Sequence, residues 1–445
     1  MIIKIDNILA KGLYDNWVVF YYYNTMDGTN YNLPDLMTFL RDKEIKMFDN
    51  TSNTYDIIRS FLDETTSEEA FFIIDLTKII EQHRKWIENL PNVVCYYAMK
   101  CNPNDAIISL LDKLNVNFDC ASRNEISQIL NQGIDPSRII FANPNRENSY
   151  IKYARSNDVD LLTVDSPNEM LKIKVHHPEA NLLIRIRVDD SMSECKFSCK
   201  FGASMEEVEE LCQLAKTIKL KLVGVAYHVG SNCRDAKAYY YAMKDARKVF
   251  DIGKKYGFDF EYLDIGGGLP GYHQEGQPTF EEYAKVIRES IEEFFPPEYI
   301  KPEKLKQIAE LGRYFVASSH TLVLSVINKK ERIDEKTGKK YFIYYLNDGT
   351  YNSFNNVIND HAVPKLMPYN ERDGVLYDAV VYGFSCDSQD KIAPRCSTEI
   401  CQLPDLACGE FVYVENMGAY TVAAASLFNS FPHTKFKYII KQKPL

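Results

Sequence analysis

Lys100 closes the apolar run Val93-Val94-Cys95-Tyr96-Tyr97-Ala98-Met99 and is followed by Cys101-Asn102-Pro103. A buried strand with that pattern carries a lysine to its C-terminal end, where desolvation disfavours the ammonium and favours the free amine that condenses with an aldehyde. Most strand-end lysines only run out to solvent, so the weight of this one rests on its companions. His228-Val229-Gly230-Ser231 offers an imidazole and a hydroxyl, and Glu310-Leu311-Gly312-Arg313 brackets a glycine with a carboxylate and a guanidinium. Tyr262-Leu263-Asp264-Ile265 runs into Gly266, Gly267 and Gly268, whose bare backbone amides can approach a phosphate. The Gly-x-Gly-x-x-Gly spacing of a dinucleotide site is absent. Each group alone has an ordinary reading: a core histidine, a salt bridge, a tight turn. Together they meet one requirement, that of a pyridinium aldehyde cofactor: a lysine for its aldehyde, an anion for its ring nitrogen, a flat group for its face, and amides with a cation for its phosphate.

These residues need a frame that brings distant strand ends together. From about residue 70 to about 320, short apolar runs alternate with longer amphipathic ones, the pattern of a parallel sheet with covering helices. Nine strands are expected, at Ala70-Asp75, Val93-Met99, Asn117-Cys120, Ile139-Ala142, Asp160-Val164, Leu182-Ile186, Leu222-Tyr227, Tyr262-Ile265 and Gln307-Ala309. Capping boxes mark helix starts at Ser122 with Glu125, Ser204 with Glu207 and Thr279 with Glu282, and Asn102 with Pro103 marks another. Lys100, Asp119, Arg185, His228 and Glu310 then stand at strand C-terminal ends, where a (β/α)8 barrel builds its active site. Beyond about residue 320 the runs His320-Asn328, Lys340-Leu346, Ala379-Tyr382 and Glu410-Val414 lack long helices between them and read as an all-β domain. Trp17-Tyr23, in the tyrosine-rich N-terminal segment, reads as an added strand of that domain. The expected division is 1-70 for the added segment, 71-318 for the barrel and 319-445 for the β domain.

With 445 residues, 45% hydrophobic and 26% charged, the chain is of ordinary globular composition and contains no run long enough for a membrane span. A net charge of −10 offers no footprint for nucleic acid. Eleven cysteines, an odd number with no Cys-x-x-Cys pair, argue against a disulfide framework or a zinc site. Met1-Ile2-Ile3-Lys4-Ile5-Asp6 is not a secretory leader, so a cytoplasmic location is expected.

The chain resembles the eukaryotic ornithine decarboxylases, pyridoxal-phosphate enzymes of the alanine-racemase-like fold. The stretches that carry the resemblance are Tyr97-Asn102, Phe118-Ser122, Ile140-Pro144, Lys200-Ala203, His228-Ser231, Asp264-Gly268, Asn347-Gly349, Cys386-Asp387 and, most specifically, Glu415-Ala425. The resemblance implies decarboxylation of L-ornithine to putrescine. Lys100 would bind the aldehyde, Glu310 the ring nitrogen, and His228 the ring face. Ser231, Gly266, Gly267, Gly268, Gly312, Arg313 and Tyr420 would surround the phosphate, with Asp119, Arg185 and Glu125 shaping the pocket. Asp360 and Asp387 would hold the distal ammonium and Cys386 would reprotonate the α-carbon, the two segments facing each other across a homodimer interface. Lys200 and Asp390 would pair between subunits, and antizyme is a possible partner. Leu269, Leu311, Asn359 and Ser388 depart from the animal pattern, and the last two, beside the substrate carboxylates, bear on substrate choice. The ending at Lys435-Leu445, without an acidic tail rich in proline and serine, implies slow turnover. Two alternatives are a lysine or arginine decarboxylase of the same fold and a catalytically inactive homologue that sequesters antizyme.

Overall fold

The computed structural model describes residues 45–370, 374–393 and 401–442. Strands β1 (Lys46–Asp49) and β2 (Phe71–Asp75) come first, and then β3 (Val93–Ala98), β4 (Asn117–Cys120), β5 (Ile139–Phe141), β6 (Leu161–Val164) and β7 (Asn181–Arg185) alternate with helices. A short strand β8 (Ser193–Cys195) precedes β9 (Lys221–Ala226), and another, β10 (Ser231–Cys233), precedes β11 (Tyr262–Asp264) and β12 (Lys306–Leu311). The strands β3, β4, β5, β6, β7, β9, β11 and β12 pair in parallel and close on themselves as an eight-stranded barrel.

Alternation along each strand decides what the barrel lumen holds. Tyr96, Ile140, Leu161, Leu183, Ala226 and Ile308 pack as a closed apolar plug inside it. Two residues further along the same inward rows stand Arg185, His228 and Glu310, and Asp119 and Asp264 sit level with Ala98 and Ile308. The plug therefore carries a polar layer on its C-terminal side. Outward residues such as Tyr97, Phe118, Phe141 and Leu263 join the large apolar core that extends to the surrounding helices.

The second sheet is mixed and is built from β13 (His320–Ile333), β14 (Lys340–Leu346), β15 (Met367–Pro368), β16 (Tyr377–Tyr382), β17 (Lys391–Ala393), β18 (Cys401–Leu403), β19 (Phe411–Val414) and β20 (Lys435–Gln442), with β1 and β2 added. Here one expectation is corrected. Phe71–Asp75 is not a barrel strand: it pairs antiparallel with β13 and parallel with β20. All five of its residues are buried, so it lacks the alternation that would tell which sheet claims it. The strand expected at Trp17-Tyr23 lies outside the described residues. Within the same N-terminal segment it is Lys46–Asp49 that joins the sheet, pairing in parallel with β20.

Helix starts follow their caps with one exception, and one capping box stays half closed. Both halves of the capping box are present at Ser204 with Glu207 and at Thr279 with Glu282. At Ser122 the hydroxyl accepts from the Glu125 N–H, but the Glu125 carboxylate takes the N–H of Ala121 instead of closing the box. Asn102 is not a cap. The helix begins at Asp105 with Asn104 accepting from Ala106 and Ile107, while the Asn102 side chain turns inward to donate to the Gly418 carbonyl at 2.9 Å and meets His320 Nε2 at 3.1 Å. That contact ties the turn after β3 to the C-terminal sheet. Among the described residues no helix is long and apolar enough to cross a membrane.

Candidate active site

Lys100 sits in a single 3-10 turn, Met99–Cys101, that ends β3. The turn is held from two sides. The Tyr420 N–H donates to the Cys101 carbonyl at 3.0 Å, and Tyr97 OH donates to the Asn102 carbonyl at 2.8 Å. Lys100 Nζ donates to Asp119 Oδ2 at 2.7 Å, from a side chain that is 42% exposed into the cavity against 0% for Asp119. Burial alone would favour the free amine, as the strand pattern implies. The structure reverses that outcome, because the attraction of Asp119, then Glu310 and Tyr420, outweighs desolvation and holds the Lys100 ammonium above the usual lysine range.

Glu310, one residue before the end of β12, is 8% exposed, and its Oε1 has no hydrogen-bond partner. Its carboxyl is pushed well up by burial, with the charges of Asp264 and Asp119 adding to it. His228 follows β9. Its Nδ1 accepts the Gly230 N–H at 3.0 Å, which leaves Nε2 as the N–H position, and Phe197 meets the ring edge-on at 4.9 Å between centroids. Burial, with Arg185 and Lys100 nearby, lowers its pKa far below the ordinary histidine value, so the imidazole is neutral. The three glycines are needed for close approach. A Cβ on Gly267 would strike the Glu310 carbonyl and lie 3.0 Å from His228 Nε2, and one on Gly268 would reach Gly230.

Across the lumen, Arg313 Nη2 donates to Ser231 Oγ at 3.0 Å and to Asp360 Oδ1 at 2.6 Å, and the guanidinium lies 5.1 Å from the Tyr420 ring centroid. Gly268, Gly312 and Arg313 line a narrow cleft that shares Lys100, His228, Ser231, Glu310 and Tyr420 with a wider cavity of about 590 Å³. Arg185, stacked on Phe201 at 4.8 Å, and both Asn359 and Asp360 line the wider part. Gly266 and Gly267 stand behind this surface and shape it through the backbone.

Cys386 and Asp387 do not line this cavity. Cys386 is exposed, with its N–H donating to Asn429 Oδ1 at 3.0 Å, and Asp387 accepts from Tyr351 OH. Ser388 is exposed beside them. Asp390 is 1% exposed, and its oxygens accept from the Thr350 N–H at 2.7 Å and the Ser385 N–H at 2.9 Å within its own chain. Glu125 is occupied by the Ala121 N–H and lies outside the cavity lining.

Sequence reasoning assigned no role to three groups that the fold brings in. Cys195 on β8 lines the cavity with its thiol 3.6 Å from Asp360 Oδ1, and burial first, then Asp360, pushes it up to about 11. Phe197 packs His228. Asp264 stands in the lumen, fully buried, with Oδ1 accepting the Gly266 N–H at 2.8 Å. A charged residue inside an apolar strand just before a glycine run was the available signal for Asp264.

Residues 76–317 match the family model described as pyridoxal-dependent decarboxylase, pyridoxal binding domain. The chain is 40% identical over 400 residues to ornithine decarboxylase of Rattus norvegicus, covering 87% of this chain and 85% of that protein. It is 38% identical over 411 residues to antizyme inhibitor 2 of Xenopus laevis, covering 90% and 88%. The arginine decarboxylase of Paramecium bursaria Chlorella virus has the same fold, with a TM-score of 0.80 at 31% identity over 87% of this chain and 100% of that one. Lys100, His228, Glu310 and Arg313 all fall inside the matched segment and converge on one cavity, and with these relatives they make the chain a member of the pyridoxal-dependent decarboxylase family.

Proposed function

We propose that the chain decarboxylates L-ornithine to putrescine and carbon dioxide, using pyridoxal 5'-phosphate. The observation that carries this reading is the placement of Asp360 in the same cavity as Lys100 and Glu310. The residues fit the cofactor. Glu310 presents a carboxylate to the lumen, the Gly266–Gly268 turn is a cradle that side chains would fill, and Ser231 with Arg313 supplies a hydroxyl and a cation for a phosphate. Pyridoxal phosphate supplies the electron sink that stabilises the carbanion left when carbon dioxide departs.

The chain's own residues do the rest. Lys100, once free of its proton, would bind the aldehyde, and Asp119 holds the Lys100 ammonium until then. Glu310 as a carboxylate would hold a proton at the ring nitrogen, and neutral His228 would face the ring without adding a competing positive charge. Arg313 keeps Asp360 in place through Oδ1 and leaves Oδ2 for a substrate ammonium. A desolvated ammonium without such a partner costs several kcal/mol, on the order of a thousandfold in preference. Asp387 of a second copy completes the ammonium site, and Cys386 of that copy returns a proton to the α-carbon. Neither residue lines the cavity of its own chain, so the reaction calls for a homodimer with shared sites. We place the activity in the cytoplasm, a setting in which the free thiols among the described cysteines stay reduced.

Release of carbon dioxide from ornithine, lysine and arginine, each with and without added pyridoxal phosphate, tests the reading. Cofactor-dependent release chiefly from ornithine is the expected result. Preference for lysine or arginine would overturn the substrate and point to Asn359, which lines the cavity, and to Ser388. No release from any substrate would favour the second reading, a binding protein like the antizyme inhibitor 2 it resembles at 38% identity, with antizyme as its partner.

A further inference from the structure

Three carboxyl groups meet inside the barrel. Asp119 on β4, Asp264 on β11 and Glu310 on β12 are 1%, 0% and 8% exposed. One oxygen of each, Asp119 Oδ1, Asp264 Oδ2 and Glu310 Oε1, is shut off from water and has no hydrogen-bond partner. Unpartnered buried carboxylate oxygens are costly, and neighbouring ones relieve the cost by taking up a proton between them. The charged or titratable groups around them are Lys100, Arg185, His228, Tyr96, Tyr227 and, on the Asp119 side, Glu125 and Cys120. With His228 neutral and both tyrosines protonated, the carboxyl groups outnumber the two cations, and the cluster balances only with at least one bound proton.

Backbone geometry singles out two of the three. Gly266 donates its N–H to Asp264 Oδ1 at 2.8 Å and accepts the Glu310 N–H on its carbonyl at 2.8 Å, so one glycine links both residues. Asp119, by contrast, already has the Lys100 ammonium. We propose that Asp264 and Glu310 share a single proton in the cofactor-free protein at neutral pH, which makes Asp264 a positioning residue that sets the charge Glu310 presents to the cofactor's ring nitrogen. Burial is the largest cause of the raised titration of both. The Asp264 carboxyl is pushed up to about 7 and that of Glu310 well above the ordinary carboxylate range, with Asp119 acting in the same direction and Arg185 against it. Such a pair loses its protons in two steps that belong to the pair and not to either residue.

Only the consequence for the ring nitrogen rests on the pyridoxal reading. The shared proton is a property of the cofactor-free protein and is tested there, by following the infrared C=O stretch of protonated carboxyl groups against pH. Wild-type protein is expected to keep a carboxylic-acid band to about pH 7. Asp264→Asn, nearly isosteric with the protonated acid, removes the partner charge and is expected to lower the midpoint of the remaining band by about one pH unit or more. Glu310→Gln gives the reciprocal measurement on Asp264 and serves if the first variant does not fold, as judged by near-ultraviolet circular dichroism. The pH dependence of pyridoxal phosphate affinity is expected to follow the same midpoints. A wild-type protein with no such band above about pH 5 would overturn the proposal, as would midpoints unchanged in both variants. Failure to bind the cofactor would overturn the pyridoxal reading and leave the infrared result to decide the shared proton by itself.

Discussion

Gly312→Ala tests whether the turn carrying Lys100 is held at its distance from β12 by the absence of one methyl group. A Cβ at Gly312 would lie 2.8 Å from Cys101 Cβ, 3.3 Å from Cys101 Sγ and 3.4 Å from Ala98 Cβ. Carbon atoms settle at about 3.5 Å or more, so the turn must retreat by about 0.7 Å. Both carbons are attached directly to backbone, and no rotamer change relieves the contact. Overpacking of this kind costs about 1–3 kcal/mol of stability. The retreat also carries Lys100 away from Arg313 and Glu310, and a misplacement approaching 1 Å costs up to about a hundredfold in function. The expected result is a pyridoxal phosphate affinity ten- to a hundredfold weaker, about 1.4–2.8 kcal/mol, measured by titrating the cofactor absorbance, together with a lowered urea midpoint. Gly257→Ala is the control. Gly257 ends a helix at φ +89 with nothing within 4 Å of its Cβ position, so the variant loses about 1 kcal/mol of stability through backbone strain alone and keeps its cofactor affinity. Equal affinity loss in both variants, or none in Gly312→Ala, would refute the steric argument.

Two further outcomes are expected. His320 is fully buried between Asn102 and Ser319, and desolvation pushes it down to about 3 from an ordinary 6.5. The unfolded chain then takes up a proton below 6.5 that the native state refuses, so its share of stability is lost as pH falls. Urea midpoints from about pH 7 to about pH 4 should fall more steeply for wild type than for His320→Asn, by a difference approaching about 1.4 kcal/mol per pH unit; parallel profiles would contradict the neutral imidazole. If Cys386 serves a partner's Lys100, mixing Lys100→Ala with Cys386→Ala subunits should restore part of the decarboxylase activity that each lacks. No recovery after verified subunit exchange would rule out shared sites.

The chemistry was legible in the sequence because it lies in local strings. A strand followed by lysine, His228 before Val229-Gly230-Ser231, three glycines after Asp264, and Glu310 two residues before Gly312 each stand at the end of a strand, and strands read well from their apolar runs. Parallel barrel strands all end on one face, so these strings converge without further information. The membership of Phe71–Asp75 was not legible. A strand buried on both faces has no polar side to orient it, and its partners β13 and β20 lie about 250 and 360 residues downstream. Nor was the direction of the Lys100 titration. Sequence places the lysine at the end of a buried strand, but whether desolvation or an opposing charge dominates depends on Asp119 at 2.7 Å, and only the barrel closure sets that distance. The same holds for Asp264, whose place in the lumen next to Glu310 follows from the register of β11 on β12. Sequence alone thus determined which groups the protein carries and at which strand ends, through periodicity and local turns. Tertiary structure decided which of them touch, and hence which are charged, because electrostatic balance in a buried cluster depends on separations of a few ångströms between residues far apart in the chain.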